Sequence, residues 1–157
     1  VEVRMKRRLI VLGLCLFLLV SCEGSSIDVP MPSDITLTFK AASFSDWRLE
    51  AVEGSSTVGT IGNDNPTITL EVGRRYRIIN TDSVVHPFAL TNSTTHGVDY
   101  LLSDGGTGSF ANDAEVNYVK NTDGFSFTLT RTLATELKSY ICTAHPPMIG
   151  EVKVTGL

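Results

Sequence analysis

The residues of this chain best equipped for chemistry lie close together near its C-terminus. Cys142, His145 and Met148 follow one another at the spacing Cys-x2-His-x2-Met, inside Ser139-Tyr140-Ile141-Cys142-Thr143-Ala144-His145-Pro146-Pro147-Met148-Ile149-Gly150. Thiolate and thioether are soft donors that select copper, imidazole suits it equally, and a Cys-His-His set with a weak axial Met describes a blue-copper site. The loop carries one histidine, so a second must come from elsewhere. His86, at the end of an apolar run upstream, is the leading choice. Zinc is the nearest competitor and would use Cys142, His145, His86 and His96 in tetrahedral geometry. Nothing in the sequence brings His96 near the others, and its Thr/Gly-rich loop assigns it to solvent, whereas Met148 comes ready-spaced.

The amino terminus sets the compartment. Arg4, Lys6, Arg7 and Arg8 precede an apolar run from Leu9 to Val20. That run falls short of the ~20 residues a membrane-spanning helix needs, so residues 1–21 read as a secretory signal. Leu19-Val20-Ser21-Cys22 resembles a bacterial lipobox, in which the cysteine becomes the lipidated first residue of the exported protein. Acyl chains on Cys22 would anchor the protein to a membrane without spanning it. Glu23 after that cysteine, by resemblance to lipoprotein sorting rules, points to the outer membrane or the cell surface. Residues 22–33, rich in Gly, Ser, Pro and Asp, form a flexible linker.

Cysteine use agrees with this division. Cys15 leaves with the signal, Cys22 is acylated, and Cys142 stands alone. A lone thiol in a compartment that permits disulfides needs an explanation, and metal ligation supplies one. Beyond residue 21, nine Lys/Arg face sixteen Asp/Glu, a net charge of −7. Such a surface excludes nucleic acid as a partner, because phosphates demand clustered Lys and Arg. It would steer encounters toward a basic protein, or serve solubility alone.

The elements that must position these residues read as short strands. Ile35, Leu37 and Phe39 alternate with polar neighbours, as do Trp47 to Ala51, Ile68 to Val72 and Tyr76 to Asn80. Val84 to Leu90 is a further apolar run, expected to carry His86 on a strand. Residues 92–114 are polar and read as an irregular excursion anchored by Tyr100-Leu101-Leu102. Val116 to Val119, Phe125 to Leu129, Leu137 to Cys142 and Gly150 to Thr155 complete the set, and Leu133 to Leu137 allows one helical turn at most. Seven to eight short strands without a helical pattern predict an all-β, antiparallel sandwich or barrel over residues 34–157.

At this point the chain resembles the cupredoxins, within them the plastocyanin, pseudoazurin and amicyanin group. Two blocks carry the resemblance. Thr67 to His86 looks like the family's strand, turn, strand and Asn-containing corner leading to the first histidine ligand. Tyr140 to Gly150 looks like its Cys-x2-His-x2-Met loop, closest to amicyanin. The resemblance implies a Greek-key β-sandwich holding one copper ion, Cu(I)/Cu(II), on His86, Cys142, His145 and Met148. It also implies transient redox donor and acceptor proteins, a monomer, and electron entry at the exposed edge of His145 beside Pro146 and Pro147. One departure stands out. Many family members have Asn after the first histidine, where its side chain ties down the ligand loop; here Pro87 stands there and has no such amide.

The function expected from the sequence is therefore one-electron transfer outside the cytoplasmic membrane, without an enzymatic reaction. The alternative is a copper-binding or delivery lipoprotein whose metal is cargo. A dinuclear copper centre would need a second cysteine in the loop, and a multicopper oxidase would need His-x-His pairs; neither is present.

Overall fold

The computed structural model describes residues 32–96 and 99–157. The signal segment, Cys22 and most of the linker lie outside the described residues. Strands interleaved along the chain pack face to face as two five-stranded sheets. In chain order the elements are β1 (Ile35–Ala41), β2 (Trp47–Glu53), β3 (Ile68–Glu71), β4 (Arg75–Asn80), β5 (Phe88–Thr91), β6 (Tyr100–Ser103), β7 (Val119–Asn121), β8 (Gly124–Thr128), α1 (Arg131–Glu136), β9 (Ser139–Cys142) and β10 (Ile149–Thr155). One sheet has the order β2-β1-β4-β8-β7 and the other β3-β10-β9-β5-β6.

The all-β sandwich expected from the sequence is present, with ten strands rather than seven to eight. It is also mixed rather than wholly antiparallel, since β1 runs parallel to β4 and β10 parallel to β3. Alternation along a strand reports which face is buried but not which neighbour it pairs with or in which direction. Two of the strands are short and lie at sheet edges. β6, inside the stretch read as irregular, pairs with β5, and β7 is a three-residue polar strand on β8. β7 is largely exposed and shows no buried pattern, whereas β6 is buried at Leu101, Leu102 and Ser103 but spans only four residues of a polar stretch. Among the described residues no helix is long and apolar enough to cross a membrane. The single short helix, α1, is capped by Thr130, whose side chain accepts a hydrogen bond from Leu133 N–H.

Where period-2 patterning is strong, the residues fold as it dictates. Ile35, Leu37 and Phe39 of β1 and Trp47 and Leu49 of β2 are buried on one face. Four core aromatics, Phe39, Trp47, Phe88 and Tyr140, form one cluster. Phe88 and Tyr140 stack at 5.5 Å with planes 7° apart, and Phe39 meets each of them at 5.0 Å. Trp47 meets Phe88 edge-on at 5.2 Å. Tyr140 keeps its hydroxyl satisfied by donating to the Pro66 carbonyl at 2.6 Å. Burial pushes the Tyr140 pKa far up, so the phenol stays a donor at all ordinary pH.

Opposite Tyr140 in the register of β9 and β10 stands Gly150. A Cβ at that position would overlap the Tyr140 ring. The aromatic floor under the ligand loop therefore depends on a missing side chain. Gly150→Ala is expected to lower stability by about 1–3 kcal/mol through overpacking, measured by urea denaturation; an unchanged midpoint would show that the ring has room to yield.

Candidate metal centre

The ligand loop is a hairpin between β9 and β10. β5 and β9 pair antiparallel with Phe88 opposite Cys142. The ladder continues one step past the strand ends, where Thr143 N–H donates to the Pro87 carbonyl at 2.8 Å. Cys142 N–H donates to the Met148 carbonyl at 2.9 Å and closes the loop at its base. Within it, Met148 N–H donates to the His145 carbonyl at 3.1 Å and Ile149 N–H to the Pro147 carbonyl at 2.9 Å. Pro146 and Pro147 add fixed φ angles and no unsatisfied donors.

His86 does not lie on a strand, contrary to the expectation from Val84 to Leu90. Residues 81–86 form turns, and β5 begins at Phe88. The reason is local competition by short polar side chains. Asn80 Oδ1 accepts from Asp82 N–H at 3.0 Å. The Asp82 carbonyl takes Val85 N–H at 3.1 Å and His86 N–H at 2.8 Å. The two valines, β-branched and strand-favouring, are left in solvent, Val84 at 95% exposure. Asn80 Nδ2 then donates to the His86 carbonyl at 2.8 Å and to Asp104 Oδ2 at 2.9 Å, and the same Asp104 oxygen accepts Phe88 N–H at 2.8 Å. His86 is thus held from the residues on either side of it.

These two pieces of backbone bring together the four residues singled out in the sequence. Cys142 Sγ lies 3.4 Å from His145 Nδ1 and 3.9 Å from His86 Nδ1. Met148 Sδ lies 3.1 Å from His86 Nδ1. The ligating atoms of His86, Cys142 and His145 all fall within 4.8 Å of one another, a group that could hold a metal ion. Nitrogen and sulfur donors about 2.0–2.3 Å from one ion stand roughly 3–4 Å apart. The separations fit that requirement, and the donor set is wholly nitrogen and sulfur. Cys142, Met148 and His86 are buried, whereas His145 is half-buried.

Burial disfavours the charged forms of His86 and Cys142. Burial pushes the His86 pKa down, neighbouring His145 adds to this, and Asp82 opposes it weakly. Burial pushes the Cys142 thiol up, against the backbone N–H groups of Ala144 and His145, which favour thiolate. Those two N–H groups aim at the sulfur and are ready to stabilise the deprotonated ligand.

His96 corrects the assignment to solvent. It is half-buried, and its Nε2 lies 3.0 Å from the Cys142 carbonyl oxygen. A carbonyl only accepts, so Nε2 carries the proton. His96 therefore braces the backbone of Cys142 and does not join the ligating group. Sequence reasoning found all four clustered side chains but not the surrounding supports. Asp104 looks like any turn carboxylate in Asp104-Gly105-Gly106, and Phe44 and Trp47 look like a loop and a core aromatic. Yet the Phe44 ring centroid lies 5.5 Å from that of His86 and 5.2 Å from that of His145, and Trp47 meets His86 edge-on at 6.2 Å.

Comparison of the chain with protein-family models, curated proteins and solved structures returns no match, so the reading of the site rests on its own residues.

Two outcomes follow from this geometry. Asp104→Ala strands two donors, Phe88 N–H and the Asn80 amide, and is expected to cost about 2–3 kcal/mol in chemical denaturation, with Asp104→Asn recovering a good part. Metal uptake must displace the Cys142 proton. With the thiol pKa raised, apparent metal affinity is expected to climb about tenfold per unit between about pH 6 and 8, read by chelator competition. A flat profile would remove Cys142 from the ligand set.

Proposed function

We propose that this chain is a type 1 copper protein of the cupredoxin kind, which carries single electrons and makes or breaks no substrate bond. The observation that carries this reading is the meeting of Cys142 Sγ, two imidazole Nδ1 atoms and Met148 Sδ within 3.1–3.9 Å contacts at one end of a β-sandwich. Thiolate and imidazole disfavour the hard ions calcium and magnesium, and the Met148 thioether beside them is the donor that favours copper over zinc. Bound copper would supply a one-electron couple. His86, Cys142 and His145 would hold it, with the Met148 thioether as a weaker donor that would help set the potential.

The residues of the chain do the rest. The closed hairpin, the Asp82 turn and the Asn80–Asp104 brace hold the ligands in one arrangement, so little has to move when charge changes. Half-buried His145, on the loop with exposed Pro146 and Pro147, offers the short path to a partner's redox group. The net acidic charge beyond residue 21 favours a basic donor or acceptor and a salt-dependent encounter. Lipid on Cys22 would keep the domain at the periplasmic, outer-membrane or cell-surface side, as a monomer engaging its partners transiently.

A second reading, copper as cargo, draws on the same half-buried His145, through which an acceptor's ligand could replace it. The two readings part on purified protein: a carrier of electrons is reduced and reoxidised without metal loss, whereas a delivery protein yields its copper readily to an acceptor.

The decisive experiment is the visible and paramagnetic resonance spectrum of the copper-loaded protein. An intense thiolate-to-Cu(II) absorption is expected in the wild type, abolished by Cys142→Ser and retained, with a raised potential, in Met148→Leu. The chain's single tryptophan, Trp47, supplies an internal check. It is fully buried, its Nε1 has no hydrogen-bond partner among the described residues, and it sits against His86. Its emission is expected to be blue-shifted and to be quenched as Cu(II) binds. A colourless loaded protein with unquenched Trp47 would end this reading.

A further inference from the structure

Phe44 is out of place for a core aromatic and too well held for a surface one. It is 68% exposed, at the tip of the β1–β2 connection, yet its ring rests on both imidazoles of the cluster. The two imidazoles are themselves 4.5 Å apart between centroids, so one ring spans both.

The loop beneath it is braced. Ser43 Oγ and Ser45 Oγ donate to Asp46 Oδ2 at 3.0 and 2.6 Å, and Ala42 N–H donates to the Asp46 carbonyl at 2.8 Å. Asn65 reaches in from the chain before β3. Its amide donates to Asp46 Oδ1 at 2.9 Å and to the Ser45 carbonyl at 3.2 Å, and its Oδ1 accepts Trp47 N–H at 2.9 Å. Asn65 holds φ 44°, a left-handed backbone that asparagine tolerates better than most residues. Asp82 links this loop to the ligand turn, since its Oδ2 accepts Ala41 N–H at 2.9 Å while its carbonyl accepts His86 N–H. The cap and the histidine beneath it therefore hang from one residue. Beside the ring opens a groove of about 280 Å³ whose walls include Phe44, Val85 and His86. Truncating Phe44 would extend that groove over His145.

We propose that Phe44 is a positioning residue of the metal centre, an aromatic cap that fixes the ring planes of His86 and His145 and keeps water and competing ligands from them. This rests on the metal-binding reading above and deepens it: the cap decides how tightly the site retains its ion. Tilted aromatic contacts orient rings through their edges and faces, which an aliphatic side chain does not reproduce.

The test uses Phe44→Ala, Phe44→Leu and Phe44→Trp, with two readouts. The first is modification of His86 and His145 by diethyl pyrocarbonate in the metal-free protein, mapped by mass spectrometry. The second is the rate of Cu(II) loss to excess EDTA. Phe44→Ala is expected to raise both about tenfold, with Phe44→Leu intermediate and Phe44→Trp near wild type. Thermal unfolding should shift little, as for other exposed loop positions. Rates unchanged in folded Phe44→Ala, or equal in the Leu and Trp variants, would overturn the proposal. A wild type that takes up no copper would instead sink the metal reading, while histidine modification would still decide whether the cap exists.

Discussion

The antiparallel register that sets Phe88 opposite Cys142 is the constraint on which the site depends. It places residues 86 and 142, far apart in sequence, at the same end of the same sheet. The ladder then runs on to Pro87 and Thr143, so the two ligand-bearing segments are tied by backbone and not by side-chain choice. A one-residue slip would turn Cys142 from the interior to the outer face and carry its sulfur away from both imidazoles. The register is defended from below by the stacked rings of Phe88 on β5 and Tyr140 on β9, each two residues from a member of the cluster, and by the absence of a side chain at Gly150.

Polar groups then refine what the register sets up. Asn80, at the end of β4, and Asp82 and Asp104, in turns, satisfy backbone groups with their side chains. Burial raises the Asp104 pKa, opposed by the Phe88 N–H and the Asn80 amide that bind its carboxylate. A partly buried carboxylate engaged in this way is costly to strand, which makes the corner stiff. His96 performs the matching task on the other ligand segment by holding the Cys142 carbonyl.

Much of this was legible in the sequence, and the division follows the physics. Alternation in Ile35-Thr36-Leu37-Thr38-Phe39 gave the buried face of β1, and the spacing Cys142-x2-His145-x2-Met148 gave three members of the cluster, because both signals are local. His86 was identified correctly as a member of the cluster but on the wrong kind of element. Val84 and Val85 suggested a strand, and the side chains of Asn80 and Asp82 folded a turn instead. β6 was hidden in a polar stretch, and the parallel pairings of β1 with β4 and β3 with β10 leave no trace in hydrophobic period. Phe44, His96 and Asp104 act across the fold, through contacts that only assembly creates.

Pro87, which follows His86, has neither a side-chain amide nor a backbone N–H to offer this corner. Proline keeps its carbonyl, however, and that carbonyl receives the Thr143 N–H at 2.8 Å. The side-chain amide at this corner is that of Asn80, whose Nδ2 donates to the His86 carbonyl and to Asp104 from the preceding strand. Pro87 also confines the backbone of residue 86, which the Asp82 turn must deliver at one angle. The ligand corner is therefore stiffened by main-chain bonding and by a brace one strand away.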